Sequence, residues 1–222
     1  MFYRISFIII IFMCSLGEAK GPRFMPGHSS ERVVDSEYSI GDGIDICEYG
    51  SLTCHVCADF YKNILPKLLK DFPGKLKIIV RPFPFSKVDV AGARIVLYSK
   101  DPHGLTLEFY KRQDEWINAK DQILAMEKIA EDFGMSRADI EASQKDGHLE
   151  NVLLARRLIF QSKAAPIFKV GKSILPGLPH YESFKKVLEE FLDWENKGNP
   201  VDKFDALAAF SRLAKENDHE KK

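Results

Sequence analysis

Three of the chain's four cysteines fall within eleven positions, Cys47, Cys54 and Cys57, and the last two enclose a two-residue spacer, His55-Val56. The flanks of this Cys-x-x-Cys pair constrain the fold more than any other segment. Residues 44–49 (IDICEY) alternate apolar and polar side chains, the pattern of a strand. Residues 50–53 (GSLT) turn the chain. From Cys54 onward Val56, Phe60, Ile64, Leu65, Leu68 and Leu69 recur at intervals of three and four, the period of a helix. Pro66 lies inside that period, so the helix is expected to kink there or to break just before it. Two cysteines three apart on a helix share a face and can reach each other. The first, at the helix start, meets unpaired backbone N–H groups and the positive end of the helix dipole, and both favour thiolate over thiol. A thiolate is the attacking species in disulfide exchange, and a partner one turn away can resolve the mixed disulfide.

Two other readings of the cysteines stay open at this level. A zinc site wants four ligands, and Cys47, Cys54, Cys57 and a histidine would gather only if the strand-turn-helix path bent to bring them together. A purely structural disulfide across so short a loop would give little entropic stabilisation. A lone Cys-x-x-Cys is moderately specific; the preceding strand and the following helix raise its weight.

Composition removes whole classes. At 222 residues the chain is one domain, or one domain with an insertion, and 45% apolar with 29% charged residues is globular, not disordered, collagen-like or multi-spanning. Lys plus Arg balance Asp plus Glu, 32 against 32, which leaves no basic field for nucleic acid. Four cysteines are too few for a disulfide-built mini-fold.

Residues 1–19 read as a secretion signal: Arg4, an unbroken apolar run from Phe7 to Met13, and small residues at Gly17 and Ala19 before a cut. The run is shorter than the roughly 20 residues that span a bilayer. A retained anchor is the alternative, and Met13 before Cys14 argues against lipidation. Export to a periplasmic or other extracytoplasmic compartment would let a disulfide persist. Residues 20–35, with two prolines and no apolar period, read as a flexible arm.

The rest of the chain divides by pattern. Residues 36–85 give strand, turn, helix and a second strand over Lys75–Arg81, closed by Pro82 and Pro84. Residues 86–161 carry helical stripes alone, over Val88–Tyr98, Leu105–Ile117, Gln122–Phe133 and Leu149–Phe160. Gly134 stands as a helix terminator there, and Ser136 with Asp139 resembles a capping box. Residues 162–196 give a hairpin, Pro166–Val170 and Ser173–Leu175 around Gly171-Lys172, and a helix over Tyr181–Trp194. Residues 197–222 add an amphipathic stretch, Val201–Lys215, and a charged end expected to be solvated. The order β-α-β, helices, β-β-α predicts an α/β sheet domain interrupted by an all-helical insertion.

Residues 48–54 (EYGSLTC), residues 57–60 (CADF) and residues 164–168 (AAPIF) before a Gly-Lys turn resemble the DsbA-type thiol–disulfide oxidoreductases, nearest to their alpha-proteobacterial branch, from about Ser36 to Trp194. The resemblance implies a thioredoxin fold with an inserted helical domain. It also implies that Cys54 is the surface nucleophile and Cys57 the resolving thiol. Pro166 would be a cis proline facing the pair, and Ala165 would bind the substrate backbone. Glu48 would be a buried acid that assists proton movement, with Lys77 on the next central strand as its neighbour. The family's commonest spacer is Pro-His; here it is His55-Val56, and Val56 has no donor for a Cys54 thiolate. That places the expected Cys54 pKa between the references of about 3.5 for the strong oxidant and about 7 for thioredoxin.

Each residue also has a plainer reading. Cys47, next to Glu48 and so on the opposite strand face, is most simply a buried apolar filler. Glu48 alone would pass as a solvated strand residue, and Pro166 as an ordinary strand-edge proline. Phe109, Tyr110 and Trp116 read as helical core. The sequence therefore predicts an exported thiol–disulfide oxidoreductase that needs no dissociable cofactor and no metal, acts on exported cysteine-containing proteins, and is reset by a membrane redox partner. A disulfide isomerase or reductase of the same fold and a peptide-binding, chaperone-like module are the alternatives.

Overall fold

The computed structural model describes residues 36–160 and 164–220, so the signal sequence and arm expected over 1–35 lie outside the described residues. Five strands form one mixed sheet in the order β1-β3-β2-β4-β5: β1 (Tyr38–Ile40), β2 (Ile44–Gly50), β3 (Leu76–Pro82), β4 (Ile167–Val170) and β5 (Ser173–Pro176). β2 runs parallel to β3 and antiparallel to β4, so the strand that leads to the cysteine pair is central. The alternation in its sequence sorts its two faces. Ile44 and Ile46 enter the main core, whereas Cys47 and Tyr49 pack on the other side with Phe83 and Ile167.

β1 has no counterpart in the sequence reading. Three residues are too few for a period to register, and the strand is held by its antiparallel pairing, Tyr38 opposite Val80.

The helix after the turn comes in three parts: α1 (His55–Asp59), a π-helical turn (Phe60–Ile64) and α2 (Leu65–Asp71). Pro66, which has no N–H to donate, sits in the first turn of α2. Just ahead of it the Leu65 N–H donates to the Phe60 carbonyl, five residues back. The proline is thus absorbed by a widened turn just before it, a distortion of the helix in place of a break. The face that this helix buries is aromatic, with Phe60 edge-on to Phe168 of β4 at 4.9 Å between ring centroids.

Between β3 and β4 run α3 (Lys87–Tyr98), α4 (Pro102–Lys111), α5 (Gln113–Ile117), α6 (Gln122–Asp132), α7 (Arg137–Lys145) and α8 (Gly147–Phe160). The stripe expected to be one helix over 105–117 is two, broken at Arg112, whose guanidinium is drawn to Glu115 and Asp132. Ser136 caps α7 as expected, accepting from the Asp139 N–H at 3.1 Å, but the Asp139 carboxylate accepts from the Ser136 hydroxyl and not from its N–H, so the full capping box is that of Ser86 and Asp89. Phe109, Tyr110 and Trp116 are buried as expected.

After β5 come α9 (Tyr181–Asn196), a 3-10 turn (Val201–Lys203) and α10 (Ala206–Glu220). The C-terminal segment belongs to the core. Phe204 stacks on Phe191 at 4.7 Å between centroids, and its carbonyl accepts from the Lys172 N–H at 2.9 Å. Ala206, Ala209 and Leu213 are buried. Gly171, at φ +57°, makes the β4–β5 turn, and a Cβ there would meet the Phe204 carbonyl oxygen at 2.4 Å. The end expected to be a solvated tail continues α10 as far as Glu220.

Candidate active site

The tight turn after β2 delivers Cys54 as the N-cap of α1, in extended backbone conformation (φ −87°, ψ 114°). A cap side chain faces the unpaired N–H groups of the first helical turn. Here the Cys54 Sγ accepts from the Cys57 N–H at 3.1 Å. The same sulfur donates to the Ala165 carbonyl at 3.3 Å. Cys54 is half-buried and Cys57 is fully buried, a difference that follows from their places at the mouth and on the inner face of one helical turn.

This asymmetry splits the acidity of the two thiols. Cys54 is pulled down to about 7, first by a hydrogen bond from the Cys57 thiol and further by the backbone N–H groups of Cys57 and Val56, while burial and the negative charge of Asp89 oppose the shift. Cys57 is pushed up, above all by burial. Cys54 therefore lies at the upper, thioredoxin-like end of the range expected from the sequence. His55 and Val56, which occupy the spacer, both face solvent.

Ala165 and Pro166 come to the sulfur from the segment before β4. Their peptide bond is cis, Ala165 is half-buried and Pro166 is buried.

Glu48 lies on the core side of β2, fully buried. Tyr61 donates to its Oε2 at 3.2 Å, and its Oε1 has no hydrogen-bond partner. Burial, with a smaller contribution from the Cys54 charge, lifts its carboxyl to about 8. Gly50 gives that carboxyl its room: a Cβ there would stand 2.2 Å from Oε1. The carboxyl lines a cavity of about 20 Å³ together with Tyr38, Tyr61, Thr106 and Tyr110, space for roughly one water.

Lys77 is not its neighbour. Strand register sets Glu48 opposite Val80 and Lys77 opposite Asp45, and Lys77 alternates onto the other face of β3. Its ammonium is 3.6 Å from Asp45 near the sheet end. Cys47 is buried among Tyr49, Phe83 and Ile167 on the sheet face away from the pair. Burial pushes its thiol up. That position keeps it from joining Cys54 and Cys57 in a ligand set, and among the described residues no three His, Cys, Asp or Glu side chains gather as metal ligands.

Asp89 of α3 was missed by the sequence reading. It is 1% exposed. Its Oδ1 accepts from the Ser51 Oγ at 2.8 Å and the Thr53 N–H at 2.9 Å, and its Oδ2 accepts from the Thr53 Oγ1 at 2.9 Å. Two further residues of the helical block reach the same loop: Tyr110 donates to the Ser51 carbonyl at 3.1 Å, and Gln113 to the Leu52 carbonyl at 2.6 Å. The signal for Asp89 was present as Ser-x-x-Asp at residues 86–89, a helix-start pattern that marks the cap and says nothing of the loop it also holds.

A central β2, a helix opened by Cys-x-x-Cys and a proline segment facing the first sulfur together make a thioredoxin-type thiol site. The family model described as Thioredoxin matches residues 44–190, more than half of the chain, and the chain belongs to that family. Its helical block between β3 and β4 gives it the architecture of the DsbA-type thiol–disulfide oxidoreductases. A curated relative, the probable disulfide bond formation protein D of Bacillus cereus, is 25% identical over 169 residues, 67% of this chain and 74% of the relative. Among solved structures, alpha-DsbA1 of Wolbachia pipientis superposes with a TM-score of 0.64 at 20% identity, covering 72% of this chain and 93% of that one. The protein-disulfide isomerase from Novosphingobium aromaticivorans gives 0.59 at 21% identity, over 72% of this chain and 100% of that one.

Proposed function

We propose that this chain is an exported oxidoreductase that exchanges a Cys54–Cys57 disulfide with the cysteines of secreted or periplasmic proteins. The observation that carries the reading is the asymmetry of the pair. One sulfur is reachable and held near the neutral point by the Cys57 thiol and by helix-terminal N–H groups, and the other is buried and held as a thiol. In the oxidising direction a substrate thiolate attacks the Cys54 sulfur, forming a mixed disulfide while Cys57 departs and takes up a proton. A second substrate thiolate then attacks the substrate sulfur of that mixed disulfide, which yields the substrate disulfide and releases Cys54 as thiolate. Two electrons pass to the pair, and a membrane redox partner removes them. In the reducing direction the Cys54 thiolate attacks a substrate disulfide and Cys57 resolves the product.

Ala165 and Pro166 offer backbone beside the sulfur on which an extended substrate segment can lie. Glu48, with a carboxyl near 8, suits the exchange of a proton with Cys57 at neutral pH. Export is supported by the basic start and apolar run of residues 4–13. Among the described residues no helix is long and apolar enough to cross a membrane.

One observation favours a second role. A Cys54 pKa of about 7 stabilises the reduced pair less than the strong oxidant's value of about 3.5 would, which suits isomerisation or reduction as well as oxidation. The test is transfer of disulfides from the oxidised protein to a reduced, unfolded substrate, alongside equilibration of the pair with glutathione. The reading requires transfer by the natural protein and none by Cys54→Ser/Cys57→Ser. A double variant that fails to transfer yet suppresses aggregation as well as the natural protein would establish the chaperone-like module instead.

A further inference from the structure

Asp89 does more than cap α3. A capping box needs the Ser86 side chain on the Asp89 N–H and the Asp89 carboxylate on the Ser86 N–H, and both bonds are present, at 3.1 and 3.2 Å. The carboxylate also takes the Phe85 N–H and the Ser86 hydroxyl, and it reaches across to the Ser51 hydroxyl and to both the N–H and the hydroxyl of Thr53, the residue immediately before Cys54. All six donors are neutral and all give to it, an arrangement that an ionised carboxylate satisfies. Helix capping explains the Ser86 contacts and leaves the three bonds to the loop unaccounted for. They place a fixed negative charge, 1% exposed, behind the segment that presents the reactive sulfur.

We infer that Asp89 is a positioning residue for thiol–disulfide exchange: it fastens the Ser51–Thr53 loop to the helical block and sets a buried carboxylate behind the residue that precedes Cys54. This rests on the oxidoreductase reading and deepens it. The two actions oppose each other at the sulfur. Fastening the loop keeps Cys54 against the Cys57 N–H, which favours thiolate, while the like charge disfavours it. The other titratable groups that bear on Cys54 are Cys57, Glu48 and Tyr110. Asp89 differs from Glu48 in standing on a helix of the block between β3 and β4 rather than on a strand, so it ties that block to the loop that presents the sulfur.

The opposed signs make the test decisive. Thiolate absorbance of the reduced protein against pH reads the Cys54 pKa directly, and equilibration with glutathione reads the redox consequence. Asp89→Asn keeps the size and removes the charge; it should raise the thiolate fraction at pH 6 by about threefold. It should also make the disulfide more oxidising. A purely structural Asp89 would act the other way, since a loosened loop withdraws Cys54 from the helix N–H groups and lowers the thiolate fraction. An unchanged or lowered fraction in Asp89→Asn overturns the inference. Thr53→Val removes one donor from the carboxylate and leaves its charge less compensated, so it should lower the thiolate fraction; an unchanged or raised fraction there overturns the inference even where Asp89→Asn does not fold. Failure of the natural protein to equilibrate with glutathione would sink the oxidoreductase reading, and the thiolate titration would still decide the role of Asp89.

Discussion

The Cys54 sulfur donates to the Ala165 carbonyl at 3.3 Å, across 111 residues of sequence. Only the thiol can make this bond, because a thiolate has no hydrogen to give, whereas the bond from the Cys57 N–H serves either form. The carbonyl therefore holds the protonated sulfur, while the N–H at the helix start favours the ionised one. When Cys54 ionises, the Ala165 carbonyl loses its donor and is free to accept from an incoming backbone N–H. The segment that carries Pro166 is thus a place to park the resting thiol as well as a backbone edge beside the reactive sulfur.

Alkylation should separate the two thiols. With Cys54 lowered to about 7, about a tenth of it is thiolate at pH 6 and about half at pH 7, while Cys57 stays protonated and buried. Limited iodoacetamide treatment of the reduced protein at pH 6 should label Cys54, found by peptide mass mapping, with a rate that climbs through pH 7. The largest downward influence on Cys54 is the Cys57 thiol donor, so Cys57→Ala should raise the midpoint, and Cys57→Ser, which keeps an O–H donor, should preserve most of the shift. Labelling of both cysteines alike at pH 6 would refute the assignment.

Glu48 should make the protein less stable as pH rises. Its folded-state pKa of about 8 lies above the unfolded value of about 4.3, so across that interval the folded chain holds a proton that the unfolded chain has lost. The stabilisation is complete below about pH 4, declines steadily up to pH 8 and is gone above it, a change on the order of a few kcal/mol. Urea midpoints of the reduced protein at pH 5 and pH 8 should differ accordingly, and Glu48→Gln should flatten the difference by stabilising the protein at pH 8. Parallel pH profiles for the two proteins would show that Glu48 is not the source.

The sequence made the site legible where its signals are local. A strand, a turn and a helix opening on Cys54 follow from alternation and period alone, as does the Gly171-Lys172 hairpin. The family resemblance supplied what no local pattern holds, above all that Pro166 returns to the cysteines. Lys77 was misplaced by register: three residues along a strand from Val80 reverses the face, and only the paired coordinates fix which residue stands opposite Glu48. Asp89 was lost for a related reason. Its cap is local, but the bonds to Ser51 and Thr53 span 38 and 36 residues and join two elements whose contact no periodicity announces.

Cys47 offers a check on the sorting of β2 into two faces. Its sulfur is packed with Tyr49, Phe83 and Ile167 and raised in pKa by burial, so it should behave as apolar filling. Cys47→Ala should cost about 1–2 kcal/mol of stability for the small cavity it opens, and leave the glutathione equilibrium and the Cys54 titration where they were. A moved redox equilibrium would mean that Cys47 communicates with the pair through the strand.

The C-terminal segment should prove to be structural core. Phe204 is 5% exposed, lies on the Phe191 ring and meets Trp194 edge-on at 6.1 Å between centroids. Its carbonyl accepts from the Lys172 N–H in the hairpin turn, and Asp205 binds the Ser173 hydroxyl at 3.2 Å and the Lys172 ammonium at 3.0 Å. The contacts bring together the last helix, α9 and the β4–β5 hairpin, none of which touches the sulfurs through this segment. Phe204→Ala deletes a buried ring and should cost about 3–5 kcal/mol, read as a lowered urea midpoint. Leu207→Ala, at a position 50% exposed on the next turn, should stay within about 0.5 kcal/mol. In both variants the folded protein should keep the Cys54 midpoint near 7, because the Cys57 thiol and the helix N–H groups that lower it are untouched. Equal, small effects of the two substitutions would show that the segment rests on the surface without contributing to the fold.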